Sequence, residues 1–207
     1  EGNVPLLRAT CHVDAPASRP LYNILLKDEI PGTIRATQTT KEDRIQYTWQ
    51  LQDVPQYFPE PQMPTPHTVT QRLLISTIPS WEELSRWYWN LCLPRMECTT
   101  PALEQTALDL THGKSTQEKI EALFTFVSQE IRYMGITTEE EAPGYEPHDV
   151  SITFENRYGV CRDKAALLAA MLRIAGVDAF PVIIMAGPKK DEEVPQPFFN
   201  HAVTAAL

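Results

Sequence analysis

The first 78 residues read as β, with stretches in which apolar and polar positions alternate, the period-two signature of strands with one buried face. In DRIQYTWQLQDV, Ile45, Tyr47, Trp49 and Leu51 share one face, and HTVTQRLLIST repeats the pattern with Val69 out of phase with Leu73 and Ile75. Between them, PQYFPEPQMPTP carries five prolines from Pro55 to Pro66. Each lacks the N–H that a helix or ladder uses, so this stretch predicts an extended connection or an edge. The N-terminal part is therefore expected to be a small antiparallel sheet or sandwich.

The period changes at Ser80. SWEELSRWYWNLC sets Glu83 three residues after Ser80, a capping box, and Trp81, Leu84, Tyr88 and Leu91 recur at helical spacing. Trp87 and Trp89 read as packing aromatics. STQEKIEALFTFVSQEIRY repeats the box with Ser115 and Glu118, then aligns Ile120, Leu123, Phe124, Val127 and Ile131 in one stripe. MGITTEEEAPGYEP interrupts the helix, and its run Glu139, Glu140, Glu141 reads as solvated surface. In ENRYGVCRDKAALLAAMLRIAG a third helix presents a narrow face of Ala165, Leu168, Ala169, Leu172 and Ala175, and Gly176 ends it. VDAFPVIIMAG then reads as a buried-type strand, PKKDEEVPQP as a polar turn, and FNHAVTAAL as a strand pairing back antiparallel. The expected boundaries are a β-rich domain over 1–79, a helical connection over 80–114 and a core over 115–207.

A chain of 207 residues can bury the core of one large domain or two small ones. Its net charge of −9, with no Lys/Arg run longer than Lys189-Lys190, argues against nucleic acid or an anionic membrane surface as partner. No apolar stretch approaches the roughly 20 residues of a membrane span. The cysteines are Cys11, Cys92, Cys98 and Cys161, with neither a CxxC pair nor a Cys/His cluster, so neither metal nor cofactor is expected. Cys92 and Cys98 are close enough to bridge in an oxidising compartment and read equally well as free thiols. The chain opens at Glu1 and closes six residues after His201, within a strand pattern, which reads as a fragment of a longer protein.

A cysteine acts as a nucleophile through its thiolate, and a helix N-terminus favours the thiolate with its dipole and unpaired N–H groups. Cys161 falls at such a start, with Arg157, Arg162 and Lys164 nearby and Asp163 as a first-turn acid that partly offsets their field. The same N–H groups suit the oxyanion of a tetrahedral intermediate. His201, on a strand two elements later, is the candidate base: alternation could present it towards the helix start. On spacing alone the pair also reads as a packing cysteine and an unrelated histidine. His148-Asp149 could position a group, whereas His12, His67 and His112 read as isolated.

Taken together, RYGVCRDKAALLAAMLRIAGVDAFPVII followed by FNHAV resembles the transglutaminase-like superfamily, the papain-related group with a Cys-His-Asp triad. IEALFTFVSQEIRYMGI is similar to the helix leading into that core. YTWQLQDVPQYFPEPQMP with IPSWEELSRWYWNL resembles a β-rich domain of unknown function that precedes the core in bacterial extracytoplasmic proteins. The resemblance spans roughly residues 20 to 207. It implies an α+β chain: an N-terminal antiparallel β-rich domain, then an incomplete papain/transglutaminase-like core whose central Cys-bearing helix packs on an antiparallel sheet.

By the same resemblance Cys161 is the nucleophile, His201 the general base, and the acid orienting it comes from a following strand, beyond Leu207. Val160 stands where many relatives carry Asp, and Arg162 where Lys is usual. The Cys161 N–H would supply half of the oxyanion hole, with Tyr145 as candidate second donor. The implied reaction is acyl transfer on a peptide or protein amide through a Cys161 thioester. Water as acceptor makes a cysteine peptidase or amidase, the favoured outcome in an acidic chain without an evident lysine-recruiting surface. A lysine-like amine makes a transglutaminase. A binding or scaffold module that kept the fold is the non-enzymatic alternative. The acidic loop of calcium-binding relatives has no counterpart, and an extracytoplasmic location, periplasmic or secreted, follows from the resemblance alone.

Overall fold

The computed structural model describes residues 4–65, 68–134, 144–187 and 191–207. The expectations for Pro66, His67, Glu139, Glu140, Glu141, Lys189 and Lys190 lie outside the described residues. The chain divides into two compact units, Glu1–Glu83 with Lys190–Gln196, and Leu84–Lys189 with Pro197–Leu207.

The first unit carries β1 (Leu6–Pro16), β2 (Asn23–Lys27), β3 (Ile34–Lys41), β4 (Arg44–Val54) and β5 (Arg72–Ser76). β4 is the centre of an antiparallel sheet ordered β1-β4-β3, and β2 pairs with β5. The alternation of β4 buries Tyr47 and Trp49, whose rings stack 6.0 Å apart against Ala15, Leu73 and Ile75. The Pro55–Pro64 stretch forms neither helix nor strand, as its missing N–H groups require.

An ion-pair cluster fastens the segment beginning at Asp191 to this unit. Lys27 Nζ lies 2.7 Å and Arg72 Nη2 2.8 Å from the Asp191 carboxylate, while Lys27 also reaches Glu193 at 2.9 Å and Arg72 also pairs with Asp28. Hydrogen bonds from Arg72 and then Lys27 hold the Asp191 carboxyl well below the usual carboxylate range. A carboxylate depressed on folding stabilises above its unfolded value, and that stability is lost as pH falls through the folded value. Asp191→Asn is therefore expected to cost about 1 kcal/mol at pH 7, at the upper end for partly exposed ion pairs. The deficit should shrink as pH drops below about 4, where the unfolded carboxyl protonates. Urea denaturation at pH 7 and pH 3 measures both.

The second unit contains most of α1 (Trp81–Glu97), then α2 (Pro101–Thr111), α3 (Thr116–Glu130), β6 (Arg132–Tyr133), α4 (Val150–Asn156), β7 (Tyr158–Gly159), α5 (Cys161–Ile174), β8 (Ala179–Ile184) and β9 (His201–Ala206). α1 buries Leu84, Tyr88, Cys92 and Met96 and continues through Pro94; the expected Trp81 and Leu91 are not its core positions. The Thr100 hydroxyl caps α2, with Pro101 at its first position, where the absent N–H costs nothing. At α3 the Ser115 hydroxyl accepts from Glu118 N–H at 3.4 Å and the Glu118 carboxylate accepts from Ser115 N–H at 2.8 Å. Ser115→Ala should cost about 1 kcal/mol of unfolding free energy, read from the urea midpoint. Phe124, expected in the buried stripe, is exposed; Leu123, Val127 and Ile131 carry that face.

α5 departs further from the narrow face expected of it. Ala165, Ala166, Leu167, Ala169, Ala170, Met171 and Leu172 are all buried, because α2, α3, α4, β8 and β9 pack around the helix. Its many alanines let these neighbours approach from several sides. The molecule is α+β, with the cysteine-bearing helix packed on the antiparallel β8-β9 pair.

Candidate active site

Cys161 is the first residue of α5 and is half-buried. Before it, Val160 is extended at φ −87° and ψ −176°, so the chain enters the helix abruptly. Asp163 sits in the first turn, as its sequence position suggests, yet it is only 2% exposed. Its Oδ2 accepts from Val160 N–H at 3.0 Å. Its Oδ1 accepts from His148 N–H at 3.0 Å and lies 3.1 Å from His148 Nδ1, with Arg162 Nε at 3.8 Å. Asp163 therefore ties a loop fifteen residues upstream to the turn that presents Cys161.

The glycine of RYGVC has a steric cause. A Cβ on Gly159 would meet Asp163 Cβ at 2.8 Å, Thr153 Cγ2 at 3.2 Å and Asp163 Oδ2 at 3.3 Å. Gly159→Ala is expected to cost about 1–3 kcal/mol by overpacking, measured by urea denaturation, since Thr153 and Asp163 are themselves buried.

β6 and β7 form a two-residue parallel pair, with Tyr133 opposite Gly159 and Met134 N–H donating to Gly159 C=O at 3.1 Å. The bridge brings Tyr133 beside Cys161. Partial burial pushes the Tyr133 hydroxyl up, and the Cys161 thiol adds to that through charge and hydrogen bonding. Hydrogen bonding with the Cys161 backbone acts in the opposite direction. Lys164 Nζ donates to Ile131 C=O at 2.5 Å, joining the end of α3 to the start of α5, and burial lowers its pKa. Sequence reading missed Tyr133 because a two-residue bridge leaves no periodic signal.

His201 opens β9, opposite Ile184 of β8. After Gly176, at φ +78°, the chain turns into β8, which packs against α5. Fourteen helical residues rise about 21 Å and the six residues of β8 about 20 Å, so helix and strand are matched in length. Within β9 the helix-facing residues are Ala202 and Thr204, whose hydroxyl donates to Ala165 C=O at 2.9 Å. His201 alternates with them and occupies the strand end. Asn200 extends the hairpin: its side-chain amide donates to Ala186 C=O at 3.0 Å and accepts from Ala186 N–H at 2.8 Å.

Tyr145 supports the run into that strand. Its hydroxyl lies 2.5 Å from Pro197 C=O and 3.2 Å from Phe199 C=O, and its ring meets Trp87 and Phe199 edge-on. All four cysteines are free thiols, Cys92 and Cys98 included, and burial pushes the Cys92 thiol up to about 11. Among the described residues no cluster of three or more His, Cys, Asp or Glu side chains is placed to hold a metal ion. No described helix is long and apolar enough to cross a membrane.

The structure is similar over 100% of this chain to a candidate protease from Parabacteroides distasonis, with a TM-score of 0.69 and 19% identity. It spans 39% of that protein's chain. A candidate cysteine protease from Cytophaga hutchinsonii aligns with 99% of this chain and 65% of its own, at a TM-score of 0.40 and 16% identity. No curated protein matches the sequence. The sequence pattern of the transglutaminase-like superfamily matches residues 104–205, a span holding α5, Cys161 and His201. That part of the chain belongs to the transglutaminase-like superfamily.

Proposed function

We propose that this chain carries a thiol-dependent acyl-transfer site for amide or peptide bonds, with Cys161 as nucleophile and His201 as base. The observation that carries the reading is the placement of Cys161 at the first position of α5, with Tyr133 held opposite Gly159, two residues before it. A helix start supplies donors and a dipole that favour a thiolate, and the same donors suit an oxyanion.

In this reading His201 takes the Cys161 proton as sulfur attacks the carbonyl carbon. The C=O electron pair moves to an oxyanion held by Cys161 N–H and Tyr133. The C–N bond then breaks, and the amine leaves with the proton from His201. Water, deprotonated by His201, attacks the thioester; the C–S bond breaks, the His201 proton passes to the sulfur, and the acid product leaves and ionises in solvent. Tyr145 was the sequence candidate for the second oxyanion donor. Its hydroxyl is engaged with the Pro197 and Phe199 carbonyls, and we assign the role to Tyr133 instead.

The test combines labelling with turnover. Iodoacetamide at pH 6.5 should modify Cys161 faster than exposed Cys11, as read by peptide mass spectrometry. Incubation with a peptide mixture and a fluorescent primary amine should give cleaved peptides in excess of amine adducts. Equal labelling of Cys161 and Cys11, with neither product formed, would overturn the reading. Amine adducts as the main product would make the site a transglutaminase.

A further inference from the structure

We propose that His148 and Asp163 form a positioning pair that sets the Cys161 turn against the strand entry to His201, His148 serving as a hydrogen-bond donor and not as a second base. The inference rests on the acyl-transfer reading of Cys161. A carboxylate 2% exposed is costly to bury unless donors satisfy it. Asp163 meets that cost with donors from two separate stretches of chain, Val160 on one oxygen and the backbone and ring of His148 on the other.

The His148 stretch is held on its other side as well. Arg95 binds Glu146 at 2.8 Å and Asp149 at 3.0 Å, so the residues either side of His148 are anchored to α1. In the same stretch Tyr145 bonds the carbonyls of Pro197 and Phe199, the latter two residues before His201. One short stretch, 145–149, thus touches both halves of the site. It grips the Cys161 turn through Asp163 and the approach to His201 through Tyr145. Loss of the ring bond leaves only the His148 N–H on Asp163 Oδ1 and loosens one grip, while the nucleophile and the base stay in the sequence. A misplacement of about 1 Å between reacting groups is enough to cost about 10²-fold in rate.

The experiment exploits the two ring nitrogens. The amide nitrogen of Asn overlays Nδ1 of His, and that of Gln overlays Nε2, so only Asn rebuilds the bond to Asp163. His148→Asn is expected to stay within about 3-fold of wild type in both kcat and the rate of Cys161 alkylation. His148→Leu and His148→Gln should lose about 10-fold or more in kcat, with KM within about 2-fold, and should slow alkylation. Asp163→Asn keeps one acceptor oxygen where two are used and should fall with them; if it fails to fold by thermal melting, the His148 series decides.

A His148→Asn variant as impaired in kcat as His148→Leu, with alkylation unchanged, would mean that the imidazole itself does chemistry and would overturn the positioning role. His148→Leu with wild-type kcat and alkylation would also overturn it. Absence of Cys161-dependent turnover in the wild type refutes the acyl-transfer reading instead. The alkylation series still tests the pair in that case, and equal rates across it would overturn the pair.

Discussion

Replacing Cys161 by Ala is expected to lower amide turnover by at least about 10³-fold while leaving the urea midpoint nearly unchanged. The size follows from the role: a covalent nucleophile has no substitute in its site, and what remains is binding and oxyanion stabilisation. The small effect on stability follows from the position. Cys161 is half-buried at the first position of α5, and Ala keeps the backbone N–H that enters the helix and the Val160 N–H bond to Asp163. His201→Ala should fall by a similar factor, and the double variant should be no worse than either single one, because the two act as a unit. Turnover is measured on the peptide substrate found with wild type, with Cys11 and Cys98 as thiol controls in the same molecule. A Cys161→Ala protein retaining more than about a tenth of the rate would remove the thiol from the mechanism.

The features legible in the sequence were those carried by local rules. Capping boxes marked helix starts, alternation marked β4, and Gly176 marked the end of α5, because each depends on residues within a few positions of one another. Cys161 and His201 could be singled out for the same reason: a helix start and a strand start each have a signature. Asp163 was legible only by half. Its place in the first turn is local, but its burial and its grip on His148 depend on a loop brought back across the helix start. α4 was missed because seven residues give barely two turns of periodicity, and it ends on Arg157 at φ +59°, a conformation usually marked by Gly or Asn. The Arg157 guanidinium lies 4.5 Å from the Phe154 ring centre and 5.3 Å from that of Phe126, a stabilisation no local pattern announces. The choice of Tyr145 ahead of Tyr133 has a related cause. Tyr133 and Tyr145 lie close in the sequence, and only the pairing of β6 with β7 separates the one opposite Gly159 from the one holding Phe199.

That distinction yields the second large effect. Tyr133→Phe is expected to lower kcat by about 10²-fold with little change in KM, the loss usual for one oxyanion donor. The ring is retained and already exposed, so packing changes little and the missing group is the hydroxyl alone. Partial burial and the neighbouring Cys161 thiol both push that hydroxyl up from its ordinary value, which keeps it a donor throughout the neutral range. An ionised tyrosine would repel the developing oxyanion. Tyr145→Phe is the matched control, since it also removes a single tyrosine hydroxyl. There the lost bonds are those to Pro197 and Phe199, so the cost should fall mainly on stability, at about 1 kcal/mol in urea denaturation, with a smaller loss in kcat. The two variants exchange their signatures if the assignment is inverted. A kcat loss larger for Tyr145→Phe than for Tyr133→Phe, at equal stability, would return the oxyanion to Tyr145 and leave Tyr133 as a neighbour of the thiol only.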